Sequence, residues 1–326
     1  MAAKSVGFAI GNLRAKENRL LKQSDLTRFM SAKSADQLAA MLRDRGIGDP
    51  ASQKEVPEIL KEDTEKLWSY LKCIAPDMSV FEPFLYENDF HNLKAILKAV
   101  VRNTDYSDLL LLPANVDIKY IETAIKEKRF DILPDFMRKS AEEAYEALVS
   151  GGDPQLSDCI IDAGCMTAQY EKAKTIKNAA VREVLISAVF YNNIKAALRS
   201  AKARKSSAFL EKTLTENGVV SKSALKNAAL GGEEKVLELL DSVTEMNGQT
   251  AAECYRRSPA EFEKFCDNRR IAAGRKCRYV TMGDEPLVGY MLARTAQTKD
   301  IRIIYSGIKT GQSSEQISER LRELYD

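Results

Sequence analysis

The chain is short of the residues from which most active sites are built. It carries one histidine, His91, so a metal centre with several imidazoles, or a Ser-His-Asp arrangement that uses a second histidine, is excluded. Neither G-x-x-x-x-G-K-[ST] nor G-x-G-x-x-G occurs, which removes a phosphate-binding loop at the level of motif. The six cysteines, Cys73, Cys159, Cys165, Cys254, Cys266 and Cys277, form no CxxC pair. The stretch Met1 to Lys16 has no charged-then-apolar leader pattern, so reduced thiols in the cytosol are expected. No run approaches the roughly 18 uncharged apolar residues of a membrane span. The longest comparable one, Leu109 to Val116, is broken by Pro113. Work at a membrane would therefore go through another protein. Charge of one sign is missing too: 49 Lys and Arg face 47 Asp and Glu, a formal net charge of +2. That balance supplies no broad field for gripping a phosphate backbone, and nucleic acid is not an expected partner.

Glycine and proline are also sparse, 16 and 9 in 326 residues, while apolar residues recur at three-and-four spacing with little β-type alternation. The pattern predicts an all-α chain. Helices should end or turn at Asp49-Pro50, Pro76, Leu112-Pro113, Gly151-Gly152-Asp153-Pro154, Asn217-Gly218, Gly231-Gly232 and Gly283. With 44% hydrophobic and 29% charged residues, the length exceeds what one core usually fills, so two or three packed units are expected.

An internal repeat favours three. Asn92, Asn193 and Asp300 are each followed by an aliphatic residue (Leu93, Ile194, Ile301) and then a basic one (Lys94, Lys195, Arg302). The positions one, four, five and eight past each anchor form a helical stripe: Leu93, Ile96, Leu97 and Val100; Ile194, Ala197, Leu198 and Ala201; Ile301, Ile304, Tyr305 and Ile308. At about 100° per residue the anchor and the basic residue border that stripe on opposite sides. The copies lie about 100 residues apart, the size of small helical domains, which places units at 1–112, 113–217 and 218–326. A second echo pairs Lys33-Ser34-Ala35-Asp36 with Lys139-Ser140-Ala141-Glu142, and both are read as helix starts with serine at the N-cap.

The segment Asn88-Asp89-Phe90-His91-Asn92-Leu93-Lys94-Ala95-Ile96-Leu97-Lys98 resembles the D-x-x-N-L-K-x-I-L helix of the C/d-subunit family of A/V-type rotary ATPases. Phe190 to Arg199 is similar to the family's second such helix. Asn12 to Glu17, with Leu20-Leu21 and Phe29, is similar to its opening helix. Gly289-Tyr290 leading into Lys299 to Gly307 resembles its C-terminal helix, with Gln297 or Thr298 where the family often has glutamate. The resemblance implies three similar helical-bundle domains forming a funnel around a pseudo-threefold axis. It also implies a non-catalytic central-stalk component that joins the rotating shaft to the membrane rotor ring, peripheral on the cytoplasmic face, without cofactor or metal and without inserting into the bilayer. Such a part should be stiff, and close-packed helices transmit displacement with little compliance.

Candidate residues carry plainer readings beside the sharp ones. Asn92, Lys94, Asn193, Lys195, Asp300 and Arg302 could form a threefold ligand site, but bridging neighbouring helices at the stripe's border, with the basic chains reaching water, explains them more simply. Lys98, Arg102, Arg199, Lys202 and Lys309, with Arg204 and Lys205 nearby, sit in the last turns of the repeat helices, where the helix dipole favours cations by about 0.3 to 1 kcal/mol. Under the implied threefold placement they would also form a basic ring for the shaft. The acid-rich stretches Glu58 to Glu65 and Glu233 to Glu238 read as solvated faces. A Cys-His nucleophilic pair would need a thiol beside His91, which no spacing supplies. A helical scaffold unrelated to rotary ATPases is the alternative, although solenoid repeats of about 20 to 50 residues are shorter than these.

Overall fold

The computed structural model describes residues 5–325, and every regular element among them is helical. Helix starts follow local chemistry. Ser5 opens α1 (Val6–Glu17) and Ser34 opens α3 (Ala35–Asp44), with Ser34 Oγ accepting from Gln37 N at 3.2 Å. Asp153 caps α8 (Pro154–Thr175), Asn178 caps α9 (Ala179–Lys202), and Ser258 caps α14 (Pro259–Arg278). In α8 and α14 a proline fills the first helical position, where its missing N–H costs no hydrogen bond. The expected breaks at Asn217-Gly218 and Gly231-Gly232 lie between helices, and Gly151 to Asp153 separate α7 (Asp135–Val149) from α8, which Pro154 begins. The Lys139-Ser140 echo is corrected: Ser140 lies inside α7, its Oγ donating to Met137 O at 2.9 Å, so it caps nothing. A Ser-x-acid pattern signals an N-cap only where the preceding residues leave the helix, and here Asp135 to Lys139 already continue it.

The chain divides into two compact units, Phe81–Glu253 and one formed by the stretch up to Val80 together with Cys254 onward. In the first, α5 (Glu82–Arg102) packs on α6 (Ile118–Glu127) and α8; α7 and α9 also lie on α8. Its core joins Phe90, Leu93, Ile96 and Leu97 of α5 to Ile121 and Ile125 of α6 and Ile160 and Ile161 of α8. Gly164 permits the close approach of these helices, because a Cβ there would lie 2.5 Å from Ser140 and 2.9 Å from Phe90. The unit also contains α10 (Ser207–Thr213), α11 (Lys222–Leu230) and α12 (Glu233–Asp241), all three packed on α9.

In the second unit α15 (Glu285–Lys309) is the central helix, packed against α1, α2 (Gln23–Met30), α3, α4 (Val56–Ile74), α14 and α16 (Ser314–Arg320). Its core sets Ile301 and Ile304 among Leu26, Phe29, Leu38, Ile59 and Ile317. The remaining helix, α13 (Gly248–Arg257), runs across the unit boundary in sequence.

Candidate functional site

The repeat anchors fall at matching places on long helices, Asn92 on α5, Asn193 on α9 and Asp300 on α15. Eight of the stripe residues that follow them are at most 2% exposed: Leu93, Ile96, Leu97, Ile194, Ala197, Leu198, Ile301 and Ile304. The anchors themselves are each 0% exposed, inside the packing rather than on its border. What covers them is the chain's own return. After each long helix a short helical turn (Ser107–Leu109, α10 and α16) leads into an extended segment that comes back across the anchor.

The carboxamide of Asn92 donates to Leu111 O at 2.9 Å and accepts from Leu111 N at 2.8 Å. Asn193 treats Thr215 the same way, donating to its carbonyl at 2.6 Å and accepting from its N–H at 3.2 Å. An extended segment lying on helices has no strand neighbour, so its buried N–H and C=O need other partners. Asparagine supplies one donor and one acceptor in a single planar group and satisfies both. It therefore replaces a strand neighbour for one residue. This accounts for a residue of poor helix propensity in the middle of a long helix. The expectation that the anchors bridge neighbouring helices gives way to this arrangement: they bind the returning segment.

The first clamp has a second jaw. Asp89, 0% exposed, accepts from Asn115 N at 2.7 Å, Val116 N at 2.9 Å and Asn115 Nδ2 at 2.7 Å. Burial raises its carboxyl, and these donors oppose that rise. Asn88 Nδ2 donates to Pro113 O at 2.8 Å. Asp89 was visible only as a letter of the D-x-x-N pattern, because its partners lie 26 and 27 residues away and no spacing rule reaches them.

The third clamp is incomplete. Asp300 Oδ1 accepts from Arg322 N at 2.9 Å, but Oδ2 is buried without a hydrogen-bond partner. Burial pushes this carboxyl up to about 6. The Arg322 side chain turns to Asp267 of α14, which also holds Lys299.

The basic candidates are divided by their surroundings. Lys94 pairs with Asp162 at 2.7 Å and Lys98 with Asp158 at 2.6 Å, so both tie α5 to α8. Arg199 is exposed and lines a groove of about 540 Å³ between α5, α8, α9 and α10, together with Lys94, Lys205, Asp158 and Asp162. Arg102 and Lys202 are exposed in the last turns of their helices. Lys309 is exposed on α15, its Nζ 5.3 Å from the centre of the Tyr305 ring. Lys195 is half-buried and Arg302 exposed. Within the Phe81–Glu253 unit the fold thus brings Lys94 and Arg199 to one groove and commits Lys98 to an internal pair.

His91 Nε2 lies 2.9 Å from Leu109 O, and the Cys159 and Cys165 thiols are pushed up by burial, the reverse of an activated thiolate. No helix among the described residues is long and apolar enough to cross a membrane, and no cluster of three metal-binding side chains forms among them.

The fold and its clamps define an all-helical protein built on long helices that recapture their own returning chain. Residues 9–320 match the family of the ATP synthase (C/AC39) subunit, and the chain belongs to that family, the C/d subunits of A/V-type ATPases. The C subunit of the V-type sodium ATPase of Enterococcus hirae is 22% identical to it over 320 residues, 96% of this chain and 97% of that protein.

Proposed function

We propose that this chain is the central-stalk connector of an A/V-type rotary ATPase, fixed at one end to the shaft of the soluble head and at the other to the membrane rotor ring. The observation that carries the reading is membership of the C/AC39 family over nearly the whole length, residues 9–320. Rigidity supports it. A torque-bearing spacer must not stretch, and two long helices each bind the returning chain through an anchor with paired hydrogen bonds. In this reading the protein carries out no reaction itself and sits on the cytoplasmic face through its partners. The three anchors support a reading of three repeats with limits near 112 and 217. Arg102, Arg199, Lys202 and Lys309, exposed cations on the three anchor helices, meet the shaft. Lys98 supports the groove wall through Asp158.

The test is a reconstituted complex assembled with and without this chain. The expected result is that head ATP hydrolysis persists without it while ATP-driven ion transport is lost, and that adding the purified chain restores transport. Transport at the full rate in its absence would overturn the proposal.

A further inference from the structure

We propose that Asp300 is a proton-binding site: its carboxyl takes up a proton on Oδ2 and donates it to the Arg322 carbonyl, completing the third clamp in the form the two asparagines give the others. The argument begins with the repeat. At Asn92 and Asn193 one side-chain atom accepts the N–H of a facing residue and the other donates to the carbonyl of that same residue. At Asp300 the accepting half is present, Oδ1 to Arg322 N at 2.9 Å across 22 residues, the same separation as Asn193 to Thr215. The donating half is not. Oδ2 is buried without a partner, on a residue that is 0% exposed. An ionised carboxylate has no hydrogen to give, whereas a protonated carboxyl has the donor and acceptor of a carboxamide.

The surroundings do not hold the ionised form firmly. Arg322 sends its Nε to Asp267 Oδ2 at 2.7 Å, and Lys299 pairs with Asp267 as well. The charged groups acting on Asp300 are therefore Arg322 of the returning segment, Asp267 of α14 and Lys299 of α15 itself, two cations already shared with a second carboxylate. The other helices packed on α15 bring charges engaged elsewhere. Arg14 of α1 pairs with Glu17, Asp25 and Arg28 of α2 pair with Arg45 and Asp44, and Asp63 of α4 pairs with Arg294. From α16, Ile317 packs into the core beside Ile301 and Ile304. Burial accordingly raises the Asp300 carboxyl from 3.8 to about 6. Between those values the folded state holds a proton that the unfolded chain has released, so this group adds stability as pH falls through about 6 and withdraws it as pH rises. The consequence is local: the segment at Leu321–Tyr325, which covers α14 and α15, is held more firmly at pH 5 than at pH 8.

The experiment compares the full chain with Asp300→Asn, which supplies the missing donor at every pH. Thermal unfolding at pH 8 should show the variant higher by about 2–4 °C, with the gap roughly halved at pH 5 and gone only below 3.8, where the unfolded chain is protonated as well. Hydrogen exchange in the peptide ending at Tyr325, corrected for the intrinsic pH effect on exchange, should slow between pH 8 and pH 5 in the parent and stay constant in the variant. A Tm gap of the same size at both pH values, a variant less stable than the parent at pH 8, or parent exchange that ignores pH would each overturn the assignment. Asp300→Ala, which can neither donate nor accept, serves as the control: it should lower Tm at both pH values and abolish the pH response. None of these outcomes bears on the rotary reading, since no shaft or ring is present in the measurement.

Discussion

The clamps at Asn193 and Asp300 face the same backbone task with different side chains, and the difference shows what a helix needs in order to capture an extended segment. At Asn193 both partners are buried, Thr215 being 6% exposed, and donor and acceptor are both used. At Asp300 the acceptor is used and the second oxygen is stranded. One is a closed latch at every pH, while the other closes only on binding a proton. Asn193→Ala is therefore the most damaging change at an anchor. It leaves a buried N–H and a buried C=O without partners, each costing about 1–3 kcal/mol. We expect a total loss of about 2–5 kcal/mol, read as a lowered urea midpoint with an unchanged slope. Asn193→Asp sharpens the comparison by moving the chemistry of the third clamp into the second. It should unfold more readily at pH 8 than at pH 5, whereas the parent clamp contributes equally at both.

Asn92 makes the same two bonds, but Leu111 on its far side is 42% exposed. Water can replace part of what is lost there, and Asp89 still holds the segment at Asn115 and Val116. Asn92→Ala should accordingly cost about 1–2 kcal/mol, clearly less than Asn193→Ala. Equal losses in the two variants would show that burial of the clamped residue does not govern the clamp's worth.

Helix content and breaks were legible in the sequence because they depend on near neighbours: apolar spacing, glycine and proline breaks, and the serine cap at Ser34. The anchors were legible as a repeat. Their role was not, because each partner lies 19 or 22 residues on, in a segment whose path depends on the packed fold. An alternating or helical period says which face is buried and nothing about a polar atom waiting for it. Asn92 and Asn193 thus looked like border residues when they are buried hydrogen-bonding groups. The same limit applied to Lys98, which read as an open cation at a helix end and proves to be paired with Asp158, 60 residues away.

That ion pair provides a smaller test. With both side chains about one-third exposed, at 33% and 31%, the Lys98–Asp158 bridge gains little over hydration, and Lys98→Gln should cost about 0.5 kcal/mol, at most 1. Raising salt from 0.05 to 0.5 M should shrink even that difference, while leaving the loss in Asn193→Ala intact, because the asparagine clamp involves no net charge. A Lys98→Gln loss as large as that of Asn92→Ala would place the charged tie between α5 and α8 on a level with the clamps.

The smallest expected effect on the fold is also the one that separates holding the chain together from holding a partner. Arg102 and Lys202 are exposed in the last turns of α5 and α9, and Arg199 is exposed on the groove wall. Reversing Arg102 and Lys202 to Glu should change stability by no more than about 0.5 kcal/mol, since exposed charges away from buried features rarely matter more. Arg199 needs a gentler change. It acts on the Cys159 thiol alongside Asp158, Asp162 and Lys94, so a glutamate there would add a negative charge beside two carboxylates. Arg199→Gln removes the cation without that repulsion. If these side chains meet an acidic shaft surface, the triple variant should unfold like the parent yet bind the shaft more weakly, chiefly through a slower association rate, with the defect fading as ionic strength rises. Shaft binding measured by surface plasmon resonance at 0.05 and 0.5 M salt checks both halves at once. Unchanged affinity at low salt would assign the three cations to their helix dipoles alone and leave the clamps as the only repeated feature with a function.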